Sequence, residues 1–168
     1  YEMTSSLVGS EMCIRDRTMS AKNSRKHCRK NDIDIEFDRA PFVFPLVRGT
    51  NRNECFRRVI WTGDHFQLAL MSLPCSVCTG TELHEGTDQF IFITRGTAKI
   101  VFSHCEGKSD WEETLTAGCC AIVPAGTYHN ITNIGSSTLK LFTIYAPPVH
   151  APKTVHRTKK DAENEWEH

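Results

Sequence analysis

From Phe56 onward, short β-rich runs recur between turn signals and leave no room for a long helix. The runs are FRRVIW, FQLALMSL, FIFIT, AKIVFS, CAIV and LKLFTIYA. The punctuation comes from Thr62-Gly63-Asp64, Thr79-Gly80, Arg95-Gly96, Gly107, Gly118, Ala125-Gly126 and Gly135. Many short strands at this spacing predict an all-β antiparallel sandwich or barrel. The single helix expected lies near the C-terminus, around Lys159–Trp166, and its thin apolar stripe predicts only weak docking.

Charge and length narrow the classes further. The 168 residues suit one domain, and 20 Lys+Arg balance 20 Asp+Glu, so the formal net charge is zero. Nothing in that balance draws the whole molecule to nucleic acid or anionic lipid. No apolar run approaches the ~20 residues of a membrane helix, and no basic-apolar-small secretory pattern opens the sequence. The expectation is a cytoplasmic protein with no nucleic-acid or membrane partner. Cysteine usage agrees. Leaving Cys13 aside, seven cysteines remain, with Cys119 and Cys120 adjacent, which reads as reduced thiols rather than a disulfide framework. Cys75-Ser76-Val77-Cys78 is a lone CxxC, so loop thiols are favoured over a structural metal site or a redox pair.

The N-terminal part lacks such periodicity. Leu7–Asp16, LVGSEMCIRD, reads like the translation of a sequencing-library adapter, so residues 1–18 are expected to be an artefactual or disordered leader. Residues 19–31 carry a basic cluster over 22–30, read as a solvated tail rather than an import or anion-binding patch. Residues 32–53, with Ile33, Ile35 and Phe37 alternating before Pro41–Val47, are expected to form an arm or edge strand. The barrel is then assigned to 54–150 and a polar tail to 151–168.

Chemistry concentrates in two blocks. In the first, Glu82 and His84 stand two apart, which places both on one face if the segment is extended. Gln89 follows a polar loop and opens the next strand. In the second, His129 lies just beyond the turn Pro124-Ala125-Gly126. If the strands are antiparallel neighbours, Glu82, His84, Gln89 and His129 converge inside an apolar barrel. They supply oxygen and imidazole donors for a divalent ion. Each alone has a plainer reading, an inward histidine satisfied in the core or a glutamine bonded to a turn. Together, and without an ion, they would cost several kcal/mol to bury.

These blocks resemble the paired motifs of the cupin superfamily. Glu82, His84, Gln89 and Gly96 fall on the first motif; Gly118, Pro124, Gly126, His129 and Asn133 fall on the second. The likeness spans roughly residues 54–157. The phrases around it resemble a small single-domain branch, cupin 2 or mannose-6-phosphate-isomerase-like. Glu82 stands where histidine is commonest and Gln89 where glutamate is, so one carboxylate is kept and the imidazoles drop from three to two. The resemblance implies a double-stranded β-helix (jelly-roll) fold and a homodimer, with residues 32–49 as the candidate arm. It also implies one divalent ion, with zinc, iron, manganese and nickel all open.

Gly96, Gly118, Pro124 and Gly126 are expected to shape turns. Tyr128 and Tyr145 are pocket candidates, His150 and His156 are expected at the surface rather than at the barrel mouth, and Trp61 and Trp111 are read as core or interface aromatics. Arg57, Arg58 and Arg95 flank turns or strands and form no obvious phosphate grip. The functional expectation is a metal-dependent enzyme acting on a small molecule, isomerase-like or dioxygenase-like, with no catalytic residue identified. The alternative is a non-catalytic module that binds a metal or small ligand.

Overall fold

In a computed structural model, residue 41 and residues 43–165 are described. The leader 1–18, the basic tail 19–31 and residues 32–40 of the expected arm lie outside them. The elements run α1 (Leu46–Arg52), β1 (Arg57–Thr62), β2 (Gln67–Leu73), β3 (Asp88–Arg95), β4 (Thr97–Ser103), β5 (Trp111–Thr116), β6 (Cys120–Val123), β7 (Tyr128–Asn133), β8 (Leu139–Ala146), β9 (Val155–His156) and α2 (Lys159–Glu165). They form a six-stranded sheet, ordered β6-β3-β8-β2-β1-β9, and a three-stranded sheet, ordered β5-β4-β7. All the ladders are antiparallel. This is an all-β jelly-roll barrel.

Period-2 alternation explains which side chains face inward. Ile91, Ile93, Met71, Leu73, Leu139 and Leu141 of the large sheet meet Ala98, Ile100, Leu115 and Ile131 of the small one in a single core. β5 escaped the sequence reading because of its six residues only Leu115 is buried, so it carries no apolar rhythm. Trp111, at its start, is 57% exposed and stacks on Phe102 at 4.8 Å, which removes the core alternative of its reading and leaves the interface one. Trp61 is half-buried and tilts against Phe66.

Two expectations change at the ends of the barrel. Residues 46–52 of the expected arm are helix, not edge strand. Pro45 cannot extend a ladder through its nitrogen, while Gly49 leaves room for the Phe44 ring, whose nearest atom would lie 2.1 Å from a Cβ there. Phe44 and Leu46 pack on Phe142 and Leu70, on the outer face of the large sheet. The helix is fastened to that face where Thr94 Oγ1 donates to Asn51 Oδ1 at 2.8 Å. The buried Lys140 Nζ further bridges Asn53 O and Ser72 Oγ. At the other end, the expected polar tail supplies β9, which pairs with β1 at Arg57↔His156. It also supplies α2, whose Ala162 joins the core.

Gly96 links β3 to β4 at φ +95°, and a Cβ there would lie 3.1 Å from the Leu139 backbone. Gly118, at φ +92°, has open space around it. Gly96→Ala should therefore lower stability by about 1–3 kcal/mol, and Gly118→Asn by less than about 1 kcal/mol. Urea denaturation of the two variants checks the difference.

Candidate metal centre

The two sequence blocks meet through their backbones. Glu82 N–H donates to His129 O at 2.8 Å, and His129 N–H returns a bond to Glu82 O at 3.0 Å. This isolated bridge, rather than a regular strand, places Glu82 beside His129. The Pro124–Gly126 turn locks onto the same segment, since Gly126 N–H, at φ +76°, donates to His84 O at 2.9 Å. Asp88 Oδ1 holds the turn from the other side by accepting from Ala125 N–H.

That scaffold brings ligand atoms of Glu82, His84 and His129 within 4.8 Å of one another. His129 is 2% exposed. Its Nδ1 stands 3.1 Å from Thr127 O, a bond that keeps the proton on Nδ1 and turns a lone pair at Nε2 toward the site. Nε2 lies 3.7 Å from Glu82 Oε2. His84 Nε2, His129 Nε2 and Gln89 Oε1 are buried without a hydrogen-bond partner. Gln89 reaches the inward face from β3 and gives its Nε2–H to Thr143 Oγ1 at 2.9 Å, leaving the acceptor oxygen for another group. Burial pushes the His84 imidazole below its ordinary value, an effect that Glu82 opposes and His129 and Arg57 reinforce. Two imidazoles, a carboxylate and an amide oxygen suit a divalent ion, and such an ion would satisfy atoms the protein leaves unmatched.

Around these four residues lies a polar shell of which the sequence reading named only Tyr145. Arg57, 1% exposed, reaches Glu82 Oε1 with Nη2 at 2.6 Å. Tyr145 is fully buried, with its ring 5.5 Å from that of His84, beside Arg57 and Thr143; burial lifts its phenol to about 12. His150 and His156 are buried, not at the surface. Their rings continue a chain from Tyr145, at 5.2 Å and then 6.3 Å. Gln67 holds the turn to His150 through both ends of its amide, donating to His150 O at 2.8 Å and accepting from His150 N–H at 3.0 Å. Burial, then Arg57, His156 and His84, push the His150 imidazole down to about 3. No short motif marks these residues. A lone arginine opening a β-rich run and histidines among prolines are ordinary surface patterns.

Tyr128, the other pocket candidate, is not part of the site. It neighbours His129 on β7, so its side chain points to the opposite face. Cys75 and Cys78 gather no third ligand among the described residues, and Cys78 Sγ instead lies 3.5 Å from Lys159 Nζ.

Comparison with known proteins gives the family. A family model described as a cupin domain matches residues 70–145, the stretch that holds both blocks. The chain belongs to the cupin superfamily. It is 40% identical over 133 residues to the uncharacterised protein YrkC of Bacillus subtilis, covering 79% of this chain and 72% of that one. It is 44% identical over 113 residues to an uncharacterised protein of Acanthamoeba polyphaga mimivirus, covering 66% and 68% of the two. The crystal structure of a Bacillus halodurans protein superimposes with a TM-score of 0.74 at 40% identity, over 74% of this chain and 95% of that one. A cupin superfamily protein from Desulfitobacterium hafniense shares the fold at TM-score 0.52 and 22% identity, over 68% of this cupin and all of the other. Among the described residues, no helix of this cupin is long and apolar enough to cross a membrane.

Two outcomes follow from the shell. Below about pH 6.5 the unfolded chain takes up a proton that native His150 refuses until about 3. Metal-free protein should therefore lose stability as pH falls through that window, by up to about 1.4 kcal/mol per unit from this group. Urea midpoints across the window, flatter for His150→Asn, check it. Arg57→Met would leave the Glu82 carboxylate without its cation, at a cost of about 3–5 kcal/mol in metal-free protein. Added divalent ion should then raise the melting temperature of Arg57→Met more than that of wild type.

Proposed function

We propose that this cupin holds one divalent ion through Glu82, His84, Gln89 and His129 and acts on a small anionic or enolisable oxygen compound. The convergence of three ligand groups within 4.8 Å, with both Nε2 atoms buried and unpartnered, carries the reading. A bound divalent ion would supply Lewis-acid polarisation of a carbonyl or carboxylate oxygen.

The protein's own part is electrostatic and steric. Arg57 offsets the one carboxylate among the four donors, so the buried surroundings do not neutralise a dication. An anionic small molecule is then the complementary partner. His150 stays uncharged at neutral pH and offers the polarity of imidazole without a further cation. Tyr145 keeps its proton throughout the physiological range and can donate a hydrogen bond. The isomerase-like reading with a phosphosugar is less favoured. Arg57 is engaged with Glu82, Arg58 bonds Cys55 Sγ at 3.3 Å and Arg95 is exposed, which leaves no arginine pair at the site among the described residues. Dioxygenase-like turnover and simple ligand binding share the same site and are separated by assay.

Metal content of the purified protein, followed by calorimetric titration, tests the site. One divalent ion per chain is expected. His84→Ala and His129→Ala should abolish uptake while the far-ultraviolet spectrum stays that of a folded barrel. Glu82→Gln should weaken binding about 10-fold or more, and Gln89→Glu should strengthen it. Unchanged affinity in both histidine variants would place the ion elsewhere. An oxygen-uptake screen with phenolics and thiols, beside turnover of mannose 6-phosphate, then separates the enzyme classes from the binding module.

A further inference from the structure

The segment between β2 and β3 carries a second group of reactive side chains, ahead of Glu82 and outside the ligand set of the metal centre. Pro74, Cys75, Ser76 and Val77 form a tight turn, closed where Val77 N–H donates to Pro74 O at 3.1 Å. Ser76, at φ 63°, takes the left-handed conformation that reverses the chain between two cysteines. The limb beyond the turn is pinned to β7. Ser76 N–H donates to Asn133 O at 3.2 Å, Asn133 N–H to Val77 O at 2.9 Å, and Thr79 N–H to Ile131 O at 2.9 Å. Cys78 is thereby fixed and half-buried, bridged to Thr132, while Cys75 stands exposed just before the pinned stretch. Neither is in a disulfide. Sequence alone favours plain loop thiols here; what the fold adds is Lys159 of α2, 81 residues further on, whose Nζ donates to Cys78 Sγ at 3.5 Å.

We propose that Cys75 and Cys78 are a thiol–disulfide exchange site, at which Cys78 attacks a small-molecule disulfide and Cys75 resolves the product. The thiolate is the attacking form of cysteine and the better acceptor for an ammonium N–H, so the Lys159 contact marks Cys78 as the nucleophile. Lys159 keeps a second, exposed partner in Glu163 Oε1 at 3.5 Å, which receives it once the sulfur is no longer anionic. The chemistry runs in two exchanges. Cys78 S⁻ bonds to one sulfur of the small disulfide, whose S–S bond breaks and releases a thiolate. The Cys75 thiol gives its proton to solvent, bonds to Cys78 Sγ and releases the second thiolate. Two protein thiols are oxidised and one small disulfide is reduced to two thiols. Cys75 is the member that moves, because Cys78 is held by the β7 bonds on either side of it. Among the described residues, Cys78 combines an ammonium at its sulfur with another cysteine three residues away. Cys55 has Arg58 Nη2 at 3.3 Å but no cysteine near it in sequence. Cys119, beside Cys120, meets the Thr116 hydroxyl at 3.7 Å.

Incubation of the full chain with oxidised glutathione, followed by alkylation, trypsin digestion and mass spectrometry, tests the proposal. Residues 59–95 hold no Lys or Arg before Arg95, so they form one peptide that contains Cys75 and Cys78 and no other cysteine. In the wild type this peptide should lose the mass of two hydrogens and take up no alkylating label. Cys75→Ser should instead retain glutathione on Cys78. Lys159→Met should slow the closure about 3–10-fold with an unchanged far-ultraviolet spectrum, and Lys159→Arg should restore most of the rate. A wild-type peptide that keeps both thiols, or that keeps glutathione without closing, overturns the proposal. Closure at the wild-type rate in Lys159→Met overturns it too, as does Cys78→Ser taking up glutathione on Cys75 as fast as the wild type closes. The peptide masses read these two thiols and the metal titration reads Glu82, His84, Gln89 and His129, so failure of one reading does not mimic failure of the other.

Discussion

The backbone bridge between Glu82 and His129 is the constraint on which the site depends. Two hydrogen bonds, at 2.8 and 3.0 Å, tie a loop segment to β7 without making it part of a sheet. The loop can therefore turn immediately afterwards and send His84 to the same place, while the Pro124–Gly126 turn grips His84 O. A regular strand would have fixed the segment but left less freedom to aim its side chains. Because the bonds are made by backbone atoms, the identities of the side chains at 82, 84 and 129 are free to serve chemistry.

Electrostatics then decides what the enclosure suits. A buried arginine beside a carboxylate is balanced, yet the pair adds no net negative charge to attract a cation. On the proposed function, attraction for a metal ion would come instead from the imidazole nitrogens and the amide oxygen, which have no hydrogen-bond partner. The same shell keeps His150 neutral, because Arg57, His156 and burial all disfavour another positive charge there. On the proposed function, such an interior would suit a dication together with a small anion better than either species alone.

Most of the barrel was legible because its inward residues obey period-2 alternation between glycine-marked turns. Glu82 and His84 were legible through their two-residue spacing, and His129 through the Pro124-Ala125-Gly126 turn just before it; the structure brings the three together. What escaped had no local signal. β5 is solvated on nearly every side chain, and β9 is two residues long. Residues 46–52 form a helix because tertiary contacts of Phe44, Asn51 and Lys140 hold a short segment that propensity alone would not. Arg57 and His156 entered the shell through pairing of β1 with β9, a contact across about a hundred residues that no sequence window contains, and His150 through its two bonds to Gln67. Tyr128 was misplaced for a simpler reason: its neighbour His129 took the inward side of the strand.

β8 lies in the middle of the large sheet, between β3 and β2. Tyr145, Thr143 and Leu141 point into the barrel, while Ile144, Phe142 and Lys140 point out of it. One strand thus serves two environments by odd and even positions. Inserting or deleting a single residue within β8 would exchange the two sets. Lys140 would be driven into the core and Tyr145 out toward solvent, so the pocket wall and the outer face would be lost together. This stretch of the chain can change by substitution, yet its length is not free to drift, and viable relatives should differ here in residue type while keeping the count.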